Sequence, residues 1–212
     1  MLYLRQEYNH NMPLSTEIKI LTKIKKAKRG TLFFTSDFTQ LVNAKAVSKA
    51  LQRLVSKREI HRVARGIYAR LRKSDFGGFV YPGADDIAKA IARKDRAKII
   101  PTGSMAMHLL GLSTQVPLKV VYFTDGSPRK INLGNQTILF KKTTPKTLAI
   151  RGELSQLAIQ ALREIGKDYT TDKEKERIIE LLKMEKKTHL VHDTRLAPVW
   201  IQEIMRRALD EE

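Results

Sequence analysis

Residues 43–71 read NAKAVSKALQRLVSKREIHRVARGIYARL, and this stretch decides the fold of the N-terminal third of the chain. Val47, Ala50, Leu51, Leu54 and Val55 follow the i, i+3, i+4, i+7, i+8 spacing that gathers side chains on one face of a helix. The opposite face carries Lys45, Ser48, Lys49, Gln52 and Ser56, with Arg53 at its border and no acidic residue among them. Those side chains suit phosphates and base edges. After Arg58-Glu59 the pattern becomes an alternation, with Ile60, Arg62 and Ala64 against His61, Val63 and Arg65. Gly66 can take the positive φ of a tight turn, so two short strands are predicted around Arg65-Gly66. His61, Arg62, Arg65, Arg70 and Arg72 then form a basic wing. Helix, polar break and basic hairpin together predict a winged helix-turn-helix. A plainer reading stands beside it: such a pair occurs in many small α+β domains, where the lysines only solvate an outer face.

The charge sharpens the choice. Lys and Arg number 40 against 22 Asp and Glu, a formal net charge of +18. Residues 1–74 hold 17 basic and 4 acidic residues, net +13, whereas residues 75–212 hold 23 and 18, net +5. Self-repulsion of that size opposes a compact state unless a polyanion is a normal partner, and nucleic acid is the first candidate. A length of 212 residues with 42% hydrophobic content suffices for a buried core in one large or two small domains. No apolar run approaches the roughly 18 residues needed to span a bilayer, and no lipid-anchor motif is visible, so no membrane partner is expected. Zero cysteines exclude disulfides, thiol catalysis and cysteine-ligated metals, and fit a cytoplasmic protein. The opening MLYLRQEYNHN lacks the apolar core of a signal peptide and reads as a loose, poorly ordered extension.

Ahead of the basic hairpin, Ser15 or Thr16 caps a helix running to about Lys28, with Ile20, Leu21, Ile24 and Ala27 on its buried face. Thr31–Phe34 reads as an extended link, and a second short helix is predicted over 37–41. Phe33, Phe34 and Phe38 belong to the core rather than to a base-stacking platform, which a duplex reader does not need. The Gly-Gly pair and proline of KSDFGGFVYP mark a strap at 73–82, and the domains are set at 1–74 and 75–212. Beyond it come a helix over 84–97, strands at 99–100, 119–124 and 136–141, and a short helix over 104–110. A helical tail completes the chain. Leu154 to Ile165 repeat at helical spacing up to Gly166, Thr171 and Glu174 have the form of a capping box, and Pro198 opens a last helix. The fold class is α+β: an N-terminal winged helix-turn-helix, a mixed α+β domain and helical C-terminal elements.

Other candidate chemistry is thin. Thr102-Gly103-Ser104 opens a helix and suits either phosphate binding or simple capping, but no Asp-x-Asp metal pair of a nucleotidyltransferase follows. Capping is the better reading. Asp85-Asp86 sits where a helix dipole favours carboxylates. His189, His192 and Asp193 have spacing permissive for zinc but no second ligand cluster, so no metal is expected. No nucleophile elbow, Walker loop or dinucleotide fingerprint occurs, so neither an enzyme nor a cofactor is expected.

Arg65-Gly66-Ile67-Tyr68, Pro101-Thr102-Gly103 and Leu110-Gly111-Leu112-Ser113 occur in that order, followed by Tyr122-Phe123-Thr124-Asp125-Gly126 and Pro128-Arg129-Lys130-Ile131. The series, covering residues 15–147, resembles the AbiEi-type antitoxins of type IV toxin-antitoxin (abortive infection) systems. The helical tail after Gly152 matches only loosely. The resemblance implies a winged helix that binds inverted repeats in double-stranded operator DNA and represses its own operon. It further implies that the remainder counters a nucleotidyltransferase toxin. On the matching positions, Lys45, Ser48, Lys49, Gln52 and Arg53 would enter the major groove, and Arg62, Arg65 and Arg70 would touch backbone or minor groove. Arg129, Lys130, Lys141 and Lys142 form a smaller basic set, explained equally by a solvated strand edge. Two other readings are a regulator whose C-terminal domain senses a small ligand, and a nucleic-acid-modifying enzyme using the Gly103-Ser104 loop.

Overall fold

The structure, a computed structural model, describes residues 15–210 and is mixed α+β. The expectation for the opening extension lies outside those residues. The chain divides into two compact units, residues 1–82 and 83–212. The division falls at the far end of the strap rather than at residue 74, because the strap is itself a hairpin. Gly77 and Gly78, at φ +91° and +75°, turn the chain so that residues 72–73 pair with 79–80.

In the first unit α1 (Thr16–Lys26) starts where Ser15 Oγ accepts a hydrogen bond from Ile18 N (3.3 Å), and it stops two residues short of Lys28 as Ala27 turns extended. The expected link becomes a strand, β1 (Leu32–Phe34). The expected second helix is instead a single 3-10 turn, Thr35–Phe38, closed by Asp37 Oδ2, which accepts from Phe34 N at 2.8 Å. So few residues cannot repay helix nucleation, and burial of Phe38 anchors the turn instead. Asn43 Oδ1 accepts from Ala46 N (2.9 Å) and caps α2 (Ala44–Ser56). The hairpin follows as β2 (His61–Ala64) and β3 (Ile67–Ala69), and β1 pairs antiparallel on the other side of β3, giving the order β1-β3-β2. The strap supplies β4 (Arg72–Lys73) and β5 (Phe79–Val80). Ile20, Ile24, Phe33, Phe38, Val47, Leu51, Leu54, Ile60 and Tyr68 share one core.

The hairpin departs from strict alternation. Arg62 pairs with Tyr68 and Ala64 with Ile67, so Val63 is an extra residue in a bulge. The bulge buries Ala64 while Arg62 stays exposed, although a period of two puts both on one side.

The second unit opens with α3 (Ala84–Asp95), β6 (Ile99–Pro101), α4 (Gly103–Leu109) and β7 (Lys119–Thr124). β8 (Arg129–Leu133) and β9 (Gln136–Lys142) complete a sheet of order β6-β7-β9-β8, in which β7 and β9 run parallel. The sequence reading has no strand at 129–133, yet Gly134-Asn135 between paired Leu133 and Gln136 is an ordinary two-residue hairpin turn. A short α5 (Pro145–Leu148) leads to α6 (Glu153–Ile165), α7 (Asp172–Leu182), α8 (Lys187–Thr194) and α9 (Val199–Asp210). Ile159, Leu162, Ile178, Leu182, Leu190, Ile201 and Met205 from α6 to α9 form its main core. Among the described residues no helix is long and apolar enough to cross a membrane.

Candidate functional site

Burial of Val47, Ala50, Leu51 and Leu54 forces the remaining side chains of α2 outward, so Lys45, Ser48, Lys49, Gln52 and Arg53 are all exposed. Beside them β2 and β3 close a cleft of about 440 Å³. Ser48 and Gln52, one turn apart, line its helical wall with Val55; Arg62, Arg65, Gly66 and Tyr68 line the strand wall. Four of the expected residues therefore face one space.

The turn between the strands is fixed from outside. Gly66 has φ +74°, and its carbonyl accepts from Thr35 N (3.1 Å), tying the hairpin tip to the start of the 3-10 turn. Thr35 thereby becomes part of the cleft, a contribution that nothing in its local sequence signals. Tyr68 enters the wall because it pairs across from Arg62.

Three of the unit's carboxylates, Glu17, Asp37 and Glu59, are engaged away from α2's outer face. Lys57 at the end of α2 pairs with Glu17, Glu59 lies 3.3 Å from Lys25 Nζ, and Asp37 accepts from Phe34 N. Glu59 N reaches back to Leu54 O (3.0 Å) because Arg58 adopts φ +58°, which ends α2 with a left-handed residue. The outer face of α2 thus stays purely cationic and polar, a surface that attracts and orients anions.

Three expected members of the wing are placed elsewhere. Arg70 lies beyond β3 at the end remote from the turn, and its Nη1 donates to Lys25 O (3.3 Å) at the C-terminal end of α1. Its cation answers unpaired helix carbonyls, a sufficient reason for its direction. His61 is half-buried with its ring 4.4 Å from that of Phe79, and Arg72 belongs to the small β4-β5 sheet.

In the second unit the register sorts the smaller basic set. Arg129 pairs with Phe140 across the strands, its guanidinium stacks on that ring and bonds Asp95, and burial pushes its pKa down. Lys130 alternates to the other face of the sheet. Asp193 in α8 is buried and accepts from Arg151 N (3.0 Å) and Gly152 N (2.7 Å), while Glu185 Oε2 accepts from Leu154 N (2.9 Å). These two carboxylates cap α6 from a distance. His192 Nδ1 lies 2.7 Å from Asp193, so that histidine belongs to the same buttress. Among the described residues no group of three or more His, Asp or Glu is placed to hold a metal ion. Thr102 does not cap α4 with its side chain; its Oγ1 donates to Val121 O (3.2 Å). Gly103, at φ +56°, faces the Glu164 carboxylate, which a Cβ would approach to 3.0 Å. An anion at that turn would meet a carboxylate, which disfavours phosphate there.

No functionally curated protein matches the chain. Among solved structures it is similar to one described as "Crystal structure of RV2827C protein from Mycobacterium tuberculosis", at 11% identity and a TM-score of 0.43, over 92% of this chain and 82% of that one. A family of unknown function, DUF6088, matches residues 19–190, which takes in both units; the protein belongs to the DUF6088 family.

Proposed function

We propose that the chain is a cytoplasmic, DNA-binding antitoxin that represses its own operon and counters a nucleotidyltransferase toxin, its first unit acting as a winged helix-turn-helix. The observation that carries the DNA reading is the cleft that draws Ser48 and Gln52 of α2 together with Arg62 and Arg65 of the hairpin, beside an outer face free of carboxylates. In this reading α2 lies in a major groove, Gln52 reads a base edge, and Lys45, Lys49, Arg53 and the hairpin arginines hold phosphates. Arg70 is left out of the contact set, since its guanidinium serves α1. The antitoxin part rests on the order of short motifs from Arg65 to Ile131, which resembles the AbiEi-type antitoxins.

Fluorescence anisotropy with the duplex directly upstream of the chain's own coding sequence, against a shuffled duplex of equal length, tests the reading. Affinity for both should fall with salt, with a log-log slope of about −0.9 per phosphate contact, and the upstream duplex should keep the tighter binding. Equal affinity for the two duplexes at every salt concentration would remove the repressor reading. A ligand-sensing regulator is the second reading, favoured by a cavity in the second unit.

A further inference from the structure

The cavity that favours a ligand sensor has a volume of about 460 Å³, within the range of roughly 300–1,000 Å³ usual for small-molecule sites. Its floor is apolar: Ile100 from β6, Leu148 from the end of α5 and Ile150 from the link into α6, each less than a tenth exposed. Lys98, Arg151 and His189 also line it, and none of its lining residues is acidic. Lys98 is held at the start of β6 by its own backbone, whose N–H donates to Asp125 Oδ1 (2.8 Å) and whose carbonyl accepts from Thr124 Oγ1 (2.8 Å). Among the described residues β6 is an edge strand of its sheet, paired with β7.

Two carboxylates beside the cavity are already committed, while Glu153 lines the adjoining pocket that shares Arg151 and Gln156. Asp193 and Glu185 take the backbone N–H groups of residues 151, 152 and 154, and Glu185 Oε1 stands 3.7 Å from His189 Nδ1. Three backbone donors at the start of α6 are therefore taken, which leaves the side chains of Lys98 and Arg151 as the cationic groups for an incoming anion. We propose that this cavity binds a small organic anion, with a phosphate or carboxylate head between Lys98 and Arg151 and a compact apolar body over Ile100, Leu148 and Ile150. The assignment is independent of any DNA binding by the first unit.

Isothermal titration calorimetry on the full chain tests it, with adenosine 5′-monophosphate as the phosphate probe, indole-3-acetate as the carboxylate probe, and adenosine and indole as uncharged controls. At least one anion should bind at a single site while its uncharged partner does not, and which one binds identifies the head group. Lys98→Glu and Arg151→Glu, both exposed positions, should each weaken that binding by about tenfold or more without lowering the melting temperature. Failure of both anions to bind below about 10 mM would overturn the proposal. So would equal binding by the uncharged controls, or charge reversals without effect. Binding lost in Arg65→Ala but kept in Arg151→Glu would place the anion on the first unit and overturn it as well.

Discussion

Gln52 and Arg65 face the same cleft, but their chemistry differs, and under the proposed reading so should their substitutions. A guanidinium on an exposed turn contributes mainly charge, so Arg65→Ala should weaken operator and shuffled duplex alike and flatten the salt dependence by about one phosphate contact. The Gln52 amide can both donate and accept, so Gln52→Ala should cost roughly 1–3 kcal/mol on the operator and little on shuffled DNA. Parallel losses on both duplexes for Gln52→Ala would mean the recognition face is misplaced. In the second unit Tyr122 is fully buried and its hydroxyl donates to Asp85 Oδ1 (2.9 Å); burial, reinforced by the carboxylates of Asp85 and Asp86, pushes its pKa well up from 10.0. A phenol whose folded pKa is raised contributes stability that is complete below about pH 10 and is lost as pH climbs towards the folded value. Tyr122→Phe should therefore cost about 1.5–3 kcal/mol at neutral pH, where the bond to Asp85 is lost. Denaturant melts from pH 7 to 11 should show the two proteins converging above pH 10; a constant gap would show that ionisation of Tyr122 is not coupled to unfolding.

The β2-β3 hairpin depends on two local departures from regularity, a bulge at Val63 and a left-handed Gly66. A Cβ at Gly66 would lie 3.5 Å from Thr35 Oγ1, an ordinary contact, so a side chain there is resisted by backbone conformation rather than by a clash. Gly66→Ala should cost about 1–2 kcal/mol, a fall of several degrees in the melting temperature of a unit this size. If the melting temperature stayed at the wild-type value, the turn would have relaxed to a different conformation. Helix α2 is more robust, since capping by Asn43 and the apolar stripe from Val47 to Leu54 act together and neither depends on the hairpin tip.

The two compact units carry different charge and different candidate sites, so under the proposed function they should be separable at Pro82. A fragment of residues 1–82 keeps the β4-β5 hairpin and the whole first core, and should retain operator binding. It should bind more weakly than the full chain if dimer contacts lie in the second unit, because paired half-sites gain from effective concentration. Residues 83–212 should show no sequence preference for DNA yet protect cells from the toxin. Growth assays with each fragment co-expressed with the toxin, read beside a promoter reporter, separate the two jobs. Rescue by residues 1–82 alone, with toxin transcription unchanged, would move protection to the first unit.

Periodicity and caps act over a few residues, and for that reason α2, its Asn43 cap, the Thr171–Glu174 capping box and the strand at 119–124 could be read directly from the chain. The exposed set Lys45, Ser48, Lys49, Gln52 and Arg53 was legible on the same ground, because a 3.6-residue repeat that buries one face exposes the other. The strand partners of 32–34, the bulge at Val63 and the turn of Arg70 towards Lys25 were not. Each depends on a contact with a residue far along the chain, and no local pattern encodes which distant backbone group will be left needing a partner. Histidines 189 and 192 show the same limit: their spacing admits a metal, whereas the fold brings Asp193 and Glu185 to the N–H groups at the start of α6 and builds the histidines into that support. Charge and helical periodicity are carried by the residues themselves; the joining of α2 and the hairpin into one cleft came only with tertiary packing, which brings together residues as far apart in the chain as Thr35 and Gly66, thirty-one positions distant.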